Sequence, residues 1–571
     1  MPRPVVGTAA IMAEAQCISR WVGGPTKPHG FTSQKYAQTP QKPGAANRIP
    51  PEIAAKISKY LDVKDLGRAA LAWRPVALAS YASPEFIKLE CGRYSLMTNG
   101  FSRWSPDTMY AVRMRMEQYN FAWSTLQYAS SLAFSLPHTT QDTPWAGHEH
   151  FKSGNCFMGE SNGYMYDVSS WEASGPQGEA DASKTETGLK TTQINLVLQK
   201  HFVKAVTVDP VEQIIGILEF NTLSTYDVYS RIPILHVYNL NGQHLVSTQI
   251  RIGFQTGAEI YHLEMHGEMV CIIANYSSTE SLIGIASDIN IQNWTGKSRA
   301  VHLDLLRYPS PPGTPGYTAY CTGFQFITED LWIATSKTKT DRRDTIPTHH
   351  IHVGHVRLDK QTIIALRDVV NEKGWTPNNI SLIRNVSHSS PVSGLFYGNS
   401  ESRLFGLKWE YRDCAGAPIR ANACLFGRTT VEAWLGVPYL VPQESLHWIK
   451  MPIPDTTKEY ALEGYHGKPK PDPTNREGLY IVGRRLFWAQ VWPYGWSFNV
   501  LDYNPGAGNW ISAEIETRGE EWKTVTGLFC NDPYAVAFST TCRIYNVARV
   551  VPTEDGILIK HGAADYTMLL M

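Results

Sequence analysis

From about Leu126 onward one short pattern recurs along the chain, and it constrains the fold more than any other feature. An Asn or Asp flanked by bulky residues closes a stretch of alternating apolar and polar residues, and a turn and a second such stretch follow. Asn241-Gly242 and Thr295-Gly296 are typical of short hairpin turns after two of these copies. The copies, some of them loose, are centred on Asp167, Asn239, Asn293, Arg357, Trp409, Asp502 and Asn546. The pattern predicts seven β units.

The units average roughly 60 residues, which is longer than the roughly 40–45 of a WD-repeat blade. Surface loops can supply the excess, because long insertions cost little loop-closure entropy. Loop composition marks three segments: Glu172 to Lys190, Tyr308 to Tyr317 and Asp455 to Gly478. The cadence resembles that of degenerate WD-like propellers, which implies a seven-bladed β-propeller over residues 126–571. A pair of β-sandwiches or another large all-β domain is the alternative.

The chain before residue 126 has a different character. Residues 1–47 are rich in Pro, Gly, Gln, Thr and Lys without apolar periodicity, which predicts a disordered leader. In residues 48–92, Ile49, Ile53, Ile57 and Leu61 recur every fourth residue and would share one face of a helix. Two more short helices are predicted after it, and a helical linker over residues 93–125 joins them to the β units. The predicted fold is mainly β with an N-terminal all-α module.

The helical module resembles the F-box of fungal-type F-box proteins, which places a Leu-Pro-x-Glu-Ile-like start before a Tyr-Leu and an Asp-Leu pair. The pattern is met by Ile49-Pro50-Pro51-Glu52-Ile53, Ile57, Tyr60-Leu61, Asp65-Leu66, Leu71 and Arg74. The sequence departs from it at Gly67, Trp73 and Val76. The resemblance covers roughly 45 residues, and an ordinary three-helix subdomain packed on its own chain is the alternative.

The F-box resemblance implies docking on a Skp-type adaptor and, through it, on a cullin-based ubiquitin ligase. Short helices gain most of their stability from packing, so three of them would leave an apolar stripe for a partner. The resemblance assigns adaptor binding to Ile49, Pro50, Pro51, Glu52, Ile53, Ile57, Tyr60, Leu61, Leu66 and Leu71.

Composition limits the other classes of partner that the chain is expected to bind and the cellular compartment that it fits. Lys plus Arg equals Asp plus Glu at 52 each, so no net field favours nucleic acid or an anionic membrane surface. No apolar run is long enough to span a membrane, and a signal peptide is not expected. The nine cysteines form no Cys-x-x-Cys pair, which argues against a zinc site or a disulfide framework. Reduced cysteines fit a cytoplasmic or nuclear protein.

Four motifs suggest chemistry, and for each a purely structural interpretation is favoured. Gly159-Glu160-Ser161-Asn162-Gly163 matches a nucleophile elbow, but it precedes a strand and Asn162-Gly163 is typical of a hairpin. His349, His350, His352 and His355 crowd one segment without a neighbouring carboxylate, so a surface strand or loop is expected rather than zinc. The same applies to His148-Glu149-His150. A basic run, Lys337, Lys339, Arg342 and Arg343, can pair with an acidic or phosphorylated segment or be solvated.

The sequence therefore predicts a substrate-recognition subunit of a Skp–cullin–F-box ubiquitin ligase. Its F-box would hold the adaptor, and its propeller would hold an unidentified target protein on a rim where loops cluster. No enzymatic activity, cofactor or metal is expected of the chain itself. The alternatives are a hydrolase-like propeller enzyme with a helical cap, and an F-box scaffold that assembles no ligase.

Overall fold

The computed structural model describes a subset of the 571 residues. These are residues 53, 56–57, 91, 96–98, 116, 119, 122–123, 130–135, 151–153, 156–162, 165–172, 188–195, 203–209, 212–221, 232–250, 259–277, 285–296, 301–304, 317–340, 348–365, 376–385, 396–398, 403–412, 418–436, 447–451, 477–492, 495–503, 525–532, 535–545, 549–553, 556–561 and 565–570. They are mainly β, which confirms the predicted β-rich character. None of their helices is long and apolar enough to cross a membrane.

The N-terminal part of the described chain combines helical residues with two strands. Met116, Tyr119, Ala122 and Trp123 are helical, in line with the expected helical linker. The structure differs from the expected helical linker in one place, where Leu96–Thr98 form strand β1. Strand β2 follows at Ser130–Ser135.

The first four sheets are each built from consecutive strands that pair antiparallel with their neighbours along the chain. The first sheet holds β3 Phe151–Ser153, β4 Cys156–Asn162, β5 Met165–Glu172 and β6 Gly188–Asn195. The second holds β7 Val203–Asp209, β8 Ile214–Asn221, β9 Ile232–Asn239 and β10 His244–Gln249. The third holds β11 Glu259–His266, β12 Met269–Ser277, β13 Ile285–Asn293 and β14 Val301–Asp304. The fourth holds β15 Tyr317–Phe326, β16 Leu331–Thr340, β17 Thr348–His355 and β18 Lys360–Ala365.

The last three sheets follow the same plan with insertions. The chain continues with β19 Thr376–Leu382, β20 Arg384–Asn385, β21 Phe396–Gly398, β22 Leu404–Arg412, β23 Pro418–Gly427, helix α1 Arg428–Gly436 and β24 His447–Met451. It ends with β25 Glu477–Val482, β26 Arg485–Trp492, β27 Gly495–Asp502, β28 Val525–Asp532, β29 Ala535–Tyr545, β30 Arg549–Pro552, β31 Gly556–Lys560 and β32 Asp565–Leu570. The fifth sheet is ordered β19-β22-β23-β24, the sixth β20-β25-β26-β27-β29-β28 and the seventh β2-β32-β31-β30.

The core lies between consecutive sheets rather than in one central layer. Leu235 of the second sheet packs in one cluster with Val270 of the third, and Ile291 of the third packs in another with Trp332 of the fourth. A larger cluster joins the fourth and fifth sheets and includes Trp434 of α1. Strands that are apolar on both faces are what such stacking requires, since each fully buried aliphatic or aromatic side chain contributes roughly 1.5–3 kcal/mol.

The Asn of the sequence repeat has a local structural cause in two sheets. At the end of β9, Asn239 Oδ1 accepts hydrogen bonds from Asn241 N at 3.1 Å and Gln243 N at 2.8 Å. At the end of β13, Asn293 Oδ1 accepts one from Thr295 N at 2.8 Å. The turns that follow contain Gly242 with φ 83° and Gly296 with φ 76°. An Asn that caps the turn after the third strand therefore produces the cadence, and both predicted hairpin turns are confirmed.

Not every copy of the repeat marks a separate sheet. Asp167, Asn239 and Asn293 lie in the third strands of three sheets, and Asp502 lies in β27 of the sixth sheet. Arg357 follows β17, the third strand of the fourth sheet, after one intervening residue. Trp409 lies instead in β22, the second strand of the fifth sheet. Asn546 directly follows β29, which belongs to the same sheet as Asp502. The seventh sheet carries no copy of the pattern, so the predicted spacing of units was wrong at the C-terminal end.

The sheets have two different ends. In an antiparallel meander, the first-to-second and third-to-fourth connections share one end, and the remaining connections share the other. At the first end the chain turns within residues 210–213, 267–268, 327–330 and 483–484, and we name it the tight-turn end. At the other, the long-connection end, the chain passes through residues 222–231, 251–258, 278–284, 305–316, 341–347, 366–375 and 452–476.

Hydrogen bonds between turns show that neighbouring sheets present the same end on the same side. Gly267 N donates to Asp209 Oδ2 at 2.8 Å, and Glu268 N donates to Glu329 Oε1 at 3.3 Å, which joins the second, third and fourth sheets. Leu404 N donates to Gly483 O at 2.9 Å and joins the fifth sheet to the sixth. The tight-turn end is therefore a continuous rim over at least these neighbouring sheets.

Candidate functional site

Two of the ten predicted adaptor-binding residues lie within the described part of the chain. Ile53 and Ile57 are both helical, as the four-residue spacing predicts. Ile53 is 44% exposed and Ile57 is half-buried. The other eight lie outside the described residues: Ile49, Pro50, Pro51, Glu52, Tyr60, Leu61, Leu66 and Leu71. A large β-branched side chain is thus open to a partner where the F-box resemblance expects one.

A buried cluster fixes the N-terminal helical residues to the sixth sheet. Trp123 is 1% exposed, and its ring meets the ring of Phe487 edge to face with centroids 5.4 Å apart. The guanidinium carbon of Arg485 lies 5.0 Å from the Trp123 ring centroid and 5.3 Å from that of Tyr119. Arg485 Nη1 also donates to the Tyr119 hydroxyl at 3.3 Å. We name these four residues, with Asp502, the anchor cluster.

The charge of Arg485 in the anchor cluster is balanced across the sheet. Arg485 begins β26 and directly faces Asp502, the last residue of β27, and its Nε donates to Asp502 Oδ2 at 2.9 Å. Burial alone would lower the pKa of Arg485, but Asp502 and Tyr119 outweigh it and raise that pKa. Cation–π contacts of this kind strengthen when they are desolvated. The cluster is therefore an ionic and aromatic joint between helix and sheet.

Sequence reasoning found only part of the anchor cluster. The sequence repeat includes Asp502, and the expected helical linker over residues 93–125 includes Tyr119 and Trp123. The role of Arg485 was missed because its partners come from distant parts of the chain. The sequence does hold one signal, because an Arg begins a mostly apolar strand. Burying its charge is costly unless the charge is paired.

A second attachment lies at the same end of the sheets. β1 pairs antiparallel with β21, with Met97 opposite Tyr397. β21 belongs to the connection between the first and second strands of the fifth sheet, so it leaves from the tight-turn end. Arg485 directly follows a tight turn of the sixth sheet. These two attachments of the N-terminal part therefore lie at the tight-turn end.

The nucleophile-elbow match is a hairpin, as expected. Ser161 lies in β4, and β4 pairs antiparallel with β5, with Asn162 opposite Met165. A nucleophile elbow has to join a strand to a helix. The Gly-x-Ser-x-Gly sequence therefore reflects turn formation here.

The histidine segment is a strand, β17, but the expectation that its histidines are on the surface is wrong for two of them. His349 is 4% exposed and His352 is 2% exposed. Ser336 Oγ lies 2.7 Å from His352 Nε2, within hydrogen-bonding distance. Burial, helped by nearby His350, lowers the pKa of His352 to about 3, so the ring is neutral at physiological pH. Among the described residues, no group of three or more His, Cys, Asp or Glu side chains is placed to hold a metal ion.

The basic run is only partly within the described chain. Lys337 is half-buried in β16 opposite His349, and Arg342 and Arg343 lie outside the described residues. At the tight-turn end, acidic side chains lie close together beside Arg357. Burial, together with Asp209, Glu329 and Glu268, raises the pKa of Glu212 there. Arg357 pairs with Glu329 at 3.5 Å and with Asp330 at 2.8 Å.

Comparison with known proteins gives no family. No family model matches the chain, and no curated protein matches it. Among solved structures, tricorn protease is 8% identical with a TM-score of 0.36, over 73% of this chain and 32% of that one. The chain thus spans about a third of the length of that protease.

Two smaller solved structures resemble the chain at a similar level. The β-propeller domain of the Trilobed protease from Pyrococcus furiosus is 9% identical with a TM-score of 0.28, over 65% of this chain and 91% of that one. The WD40 domain of SCAP from fission yeast is 9% identical with a TM-score of 0.26, over 78% of this chain and 98% of that one.

Proposed function

We propose that this chain is the substrate-recognition subunit of a Skp–cullin–F-box ubiquitin ligase. The sequence pattern from Ile49 to Arg74 carries the proposal. The single structural observation that supports it is the exposed Ile53 on a helix. In helix-in-groove recognition a few central apolar anchors supply most of the affinity.

The β part of the chain is proposed to be a closed seven-bladed propeller. Six sheets of four strands and one of six follow each other along the chain. The first strand of the second sheet contacts the first strands of both the first and the third. The seventh sheet is completed by β2, which comes from before the first sheet and pairs with β32. Closing a ring with a strand from the other terminus removes an exposed edge, which is the advantage of a propeller.

The two ends of the sheets suggest a division of labour. The N-terminal helical residues are attached at the tight-turn end by the anchor cluster and by β1. Most of the long connections, among them 305–316 and 452–476, leave from the opposite end, and long loops on a rigid scaffold are where binding residues concentrate. We place the adaptor on the side of the tight-turn end and the target protein at the long-connection end.

Such a subunit would act by proximity. Binding a target on one face and the adaptor on the other converts ubiquitin transfer into an effectively intramolecular event. The gain depends on a fixed distance between the two sites. The anchor cluster supports this requirement, because a buried aromatic and ionic joint resists bending better than a flexible linker.

A pulldown of the full-length chain with a purified Skp-type adaptor tests the proposal. Ile53→Asp combined with Leu61→Asp places two charges on the apolar stripe, and adaptor recovery is expected to fall at least tenfold. The matched control is Leu245→Asp, since Leu245 is 45% exposed on β10 and resembles Ile53 in size and exposure. Unchanged recovery with the double variant, while circular dichroism shows the β fold intact, would contradict the proposal.

A scaffold that binds the adaptor without assembling a ligase makes a different prediction in the same experiment. Adaptor would co-purify while cullin would not, even when both are supplied.

A further inference from the structure

Three side chains line up across the last three strands of the second sheet. Glu219 Oε2 of β8 lies 3.1 Å from His236 Nε2 of β9. His236 Nδ1 lies 2.8 Å from Ser247 Oγ of β10. Ser247 pairs directly with His236, and Glu219 faces Ile234 two residues away, so the three share one face of the sheet. The outermost of them has a second contact, because His244 Nε2 lies 2.9 Å from Ser247 Oγ.

Burial decreases steadily along this row. Glu219 is fully buried, His236 is 3% exposed and Ser247 is exposed. Within the described part of the chain the carboxylate of Glu219 accepts no directed hydrogen bond, and its contact with His236 is at ion-pair distance but off the line of one. A buried carboxylate in that position costs several kcal/mol unless an N–H donor or a positive charge faces it. The nearest partner is the His236 ring.

The buried carboxylate of Glu219 therefore determines which atoms of the neighbouring rings and hydroxyl carry protons. Glu219 favours the His236 proton on Nε2, so Nδ1 is left as an acceptor. Ser247 then donates its hydroxyl proton to His236 Nδ1, and His244 Nε2–H donates to Ser247 Oγ. A hydroxyl that donates to a neutral imidazole backed by a carboxylate is the arrangement that activates serine nucleophiles.

The sheet register also leaves Ser247 open to a substrate. Ile250 N donates to Pro233 O at 2.9 Å, so this pair is hydrogen-bonded and alternate pairs along the ladder are as well. Ser247 and His236, three positions on, form a non-hydrogen-bonded pair. The Ser247 N–H therefore points away from β9, and β10 is the outermost strand of its sheet. Charged side chains are absent from β10, His244 to Gln249.

We propose that Ser247 is the nucleophile of an acyl-transfer site for small uncharged esters. Ser247 Oγ attacks the ester carbonyl carbon while its proton passes to His236 Nδ1. The oxyanion accepts hydrogen bonds from Ser247 N–H and His244 Nε2–H. Collapse releases the alcohol with the proton from His236, and water, deprotonated by His236, then frees the acid and restores Ser247. The net reaction is ester plus water to acid plus alcohol, and Glu219 is a positioning residue.

Two measurements on the full-length chain test the nucleophile. A fluorophosphonate should label Ser247, detected by mass spectrometry, and p-nitrophenyl acetate hydrolysis should fall at least a hundredfold in Ser247→Ala. Gln249→Ala, two residues along the same strand, is the control and should leave both unchanged. Labelling of Ser247 no faster in the native than in the heat-denatured chain, or unaltered hydrolysis in Ser247→Ala, would overturn the assignment.

Glu219→Gln separates positioning from structural support. The site predicts labelling at least tenfold slower while the thermal midpoint is unchanged or raised, because a buried carboxylate has been neutralised. A network that only braces the sheet predicts the reverse: a lowered midpoint with labelling unaffected. Neither result depends on adaptor binding, so failure of this site leaves the ligase proposal standing, and the converse holds as well.

Discussion

His352 illustrates how a residue that looks suited to metal binding is used for packing. Its ring is buried between strands, contacts Ser336 and stays neutral because burial, helped by nearby His350, disfavours the charged form. In the unfolded chain the same ring has an ordinary pKa near 6.5. The folded and unfolded states therefore bind protons differently below that pH.

The pH dependence of stability follows from this difference. Since the folded pKa of His352 is about 3, the unfolded state binds more protons between pH 6.5 and 3, and the free energy of unfolding falls as pH falls through that window. His352→Gln should flatten the slope by up to about 1.4 kcal/mol per pH unit. Urea unfolding at pH 4.5 to 7 measures it. His355→Gln, on the same strand, is the control, and equal slopes in wild type and His352→Gln would contradict the account.

A close approach at Gly354 gives a second test at the residue scale. Gly354 faces Trp332 on the next strand, and a Cβ added there would lie 2.1 Å from Trp332 Cζ2. A Cβ added at Gly216 would lie 2.3 Å from Met265 Sδ, but the flexible methionine side chain can move away from it. Gly354→Ala should therefore lose about 1–3 kcal/mol of unfolding free energy and Gly216→Ala less.

The denaturant midpoints of Gly354→Ala and Gly216→Ala measure these two losses of unfolding free energy. Gly436→Ala is the control, because a Cβ there meets nothing within 4 Å. Equal losses in Gly354→Ala and Gly216→Ala would mean that the Trp332 ring moves as readily as a methionine.

At the scale of elements, the anchor cluster joins helix and sheet through Arg485, whose charge is balanced by a buried ion pair with Asp502 in the same sheet. Arg485 and Asp502 have side chains 5% and 6% exposed. Removal of one partner leaves a buried charge unpaired, which costs roughly 3–5 kcal/mol. Replacing both by apolar residues avoids that penalty.

A double-mutant cycle tests this coupling. Asp502→Leu and Arg485→Met are each expected to be strongly destabilising in urea unfolding, and the double variant is expected to lose much less than their sum. The control is Arg357→Met. The Arg357 side chain is 69% exposed, so its ion pairs should contribute less than about 1 kcal/mol to the free energy of unfolding. Additive losses at Arg485 and Asp502 would refute the coupling.

The elements also show what the sequence can and cannot predict. The turn-capping Asn239 and Asn293 are local, so their hairpins and the β-rich character were predictable. The fifth sheet was misread because its first two strands are separated by an insertion that carries β20 and β21. The seventh sheet was missed because its outer strand, β2, lies far from β32 in sequence, and periodicity carries no information about such pairing.

The same limit applies to the sites. The F-box resemblance rests on a continuous stretch, so its residues could be chosen from sequence alone. Ser247, His236 and Glu219 lie on three strands joined by a hairpin and a longer connection. Their spacing matches no motif, and only the register of the sheet brings them together.

For the molecule as a whole, we propose separate roles for the two ends of the sheets. The helical residues around Ile53 belong to the N-terminal part attached at the tight-turn end, and most of the long connections leave from the other end. Lys56 is exposed one helical turn after Ile53, and Lys450 lies in β24 next to the connection 452–476.

Lysine cross-linking of the full-length chain bound to a purified Skp-type adaptor, read by mass spectrometry, tests the central proposal most directly. The account predicts links from the adaptor to Lys56 and none to Lys450, with the Lys56 links lost in the Ile53→Asp, Leu61→Asp variant. Adaptor links to Lys450 without links to Lys56, or Lys56 links that persist in the variant, would contradict it.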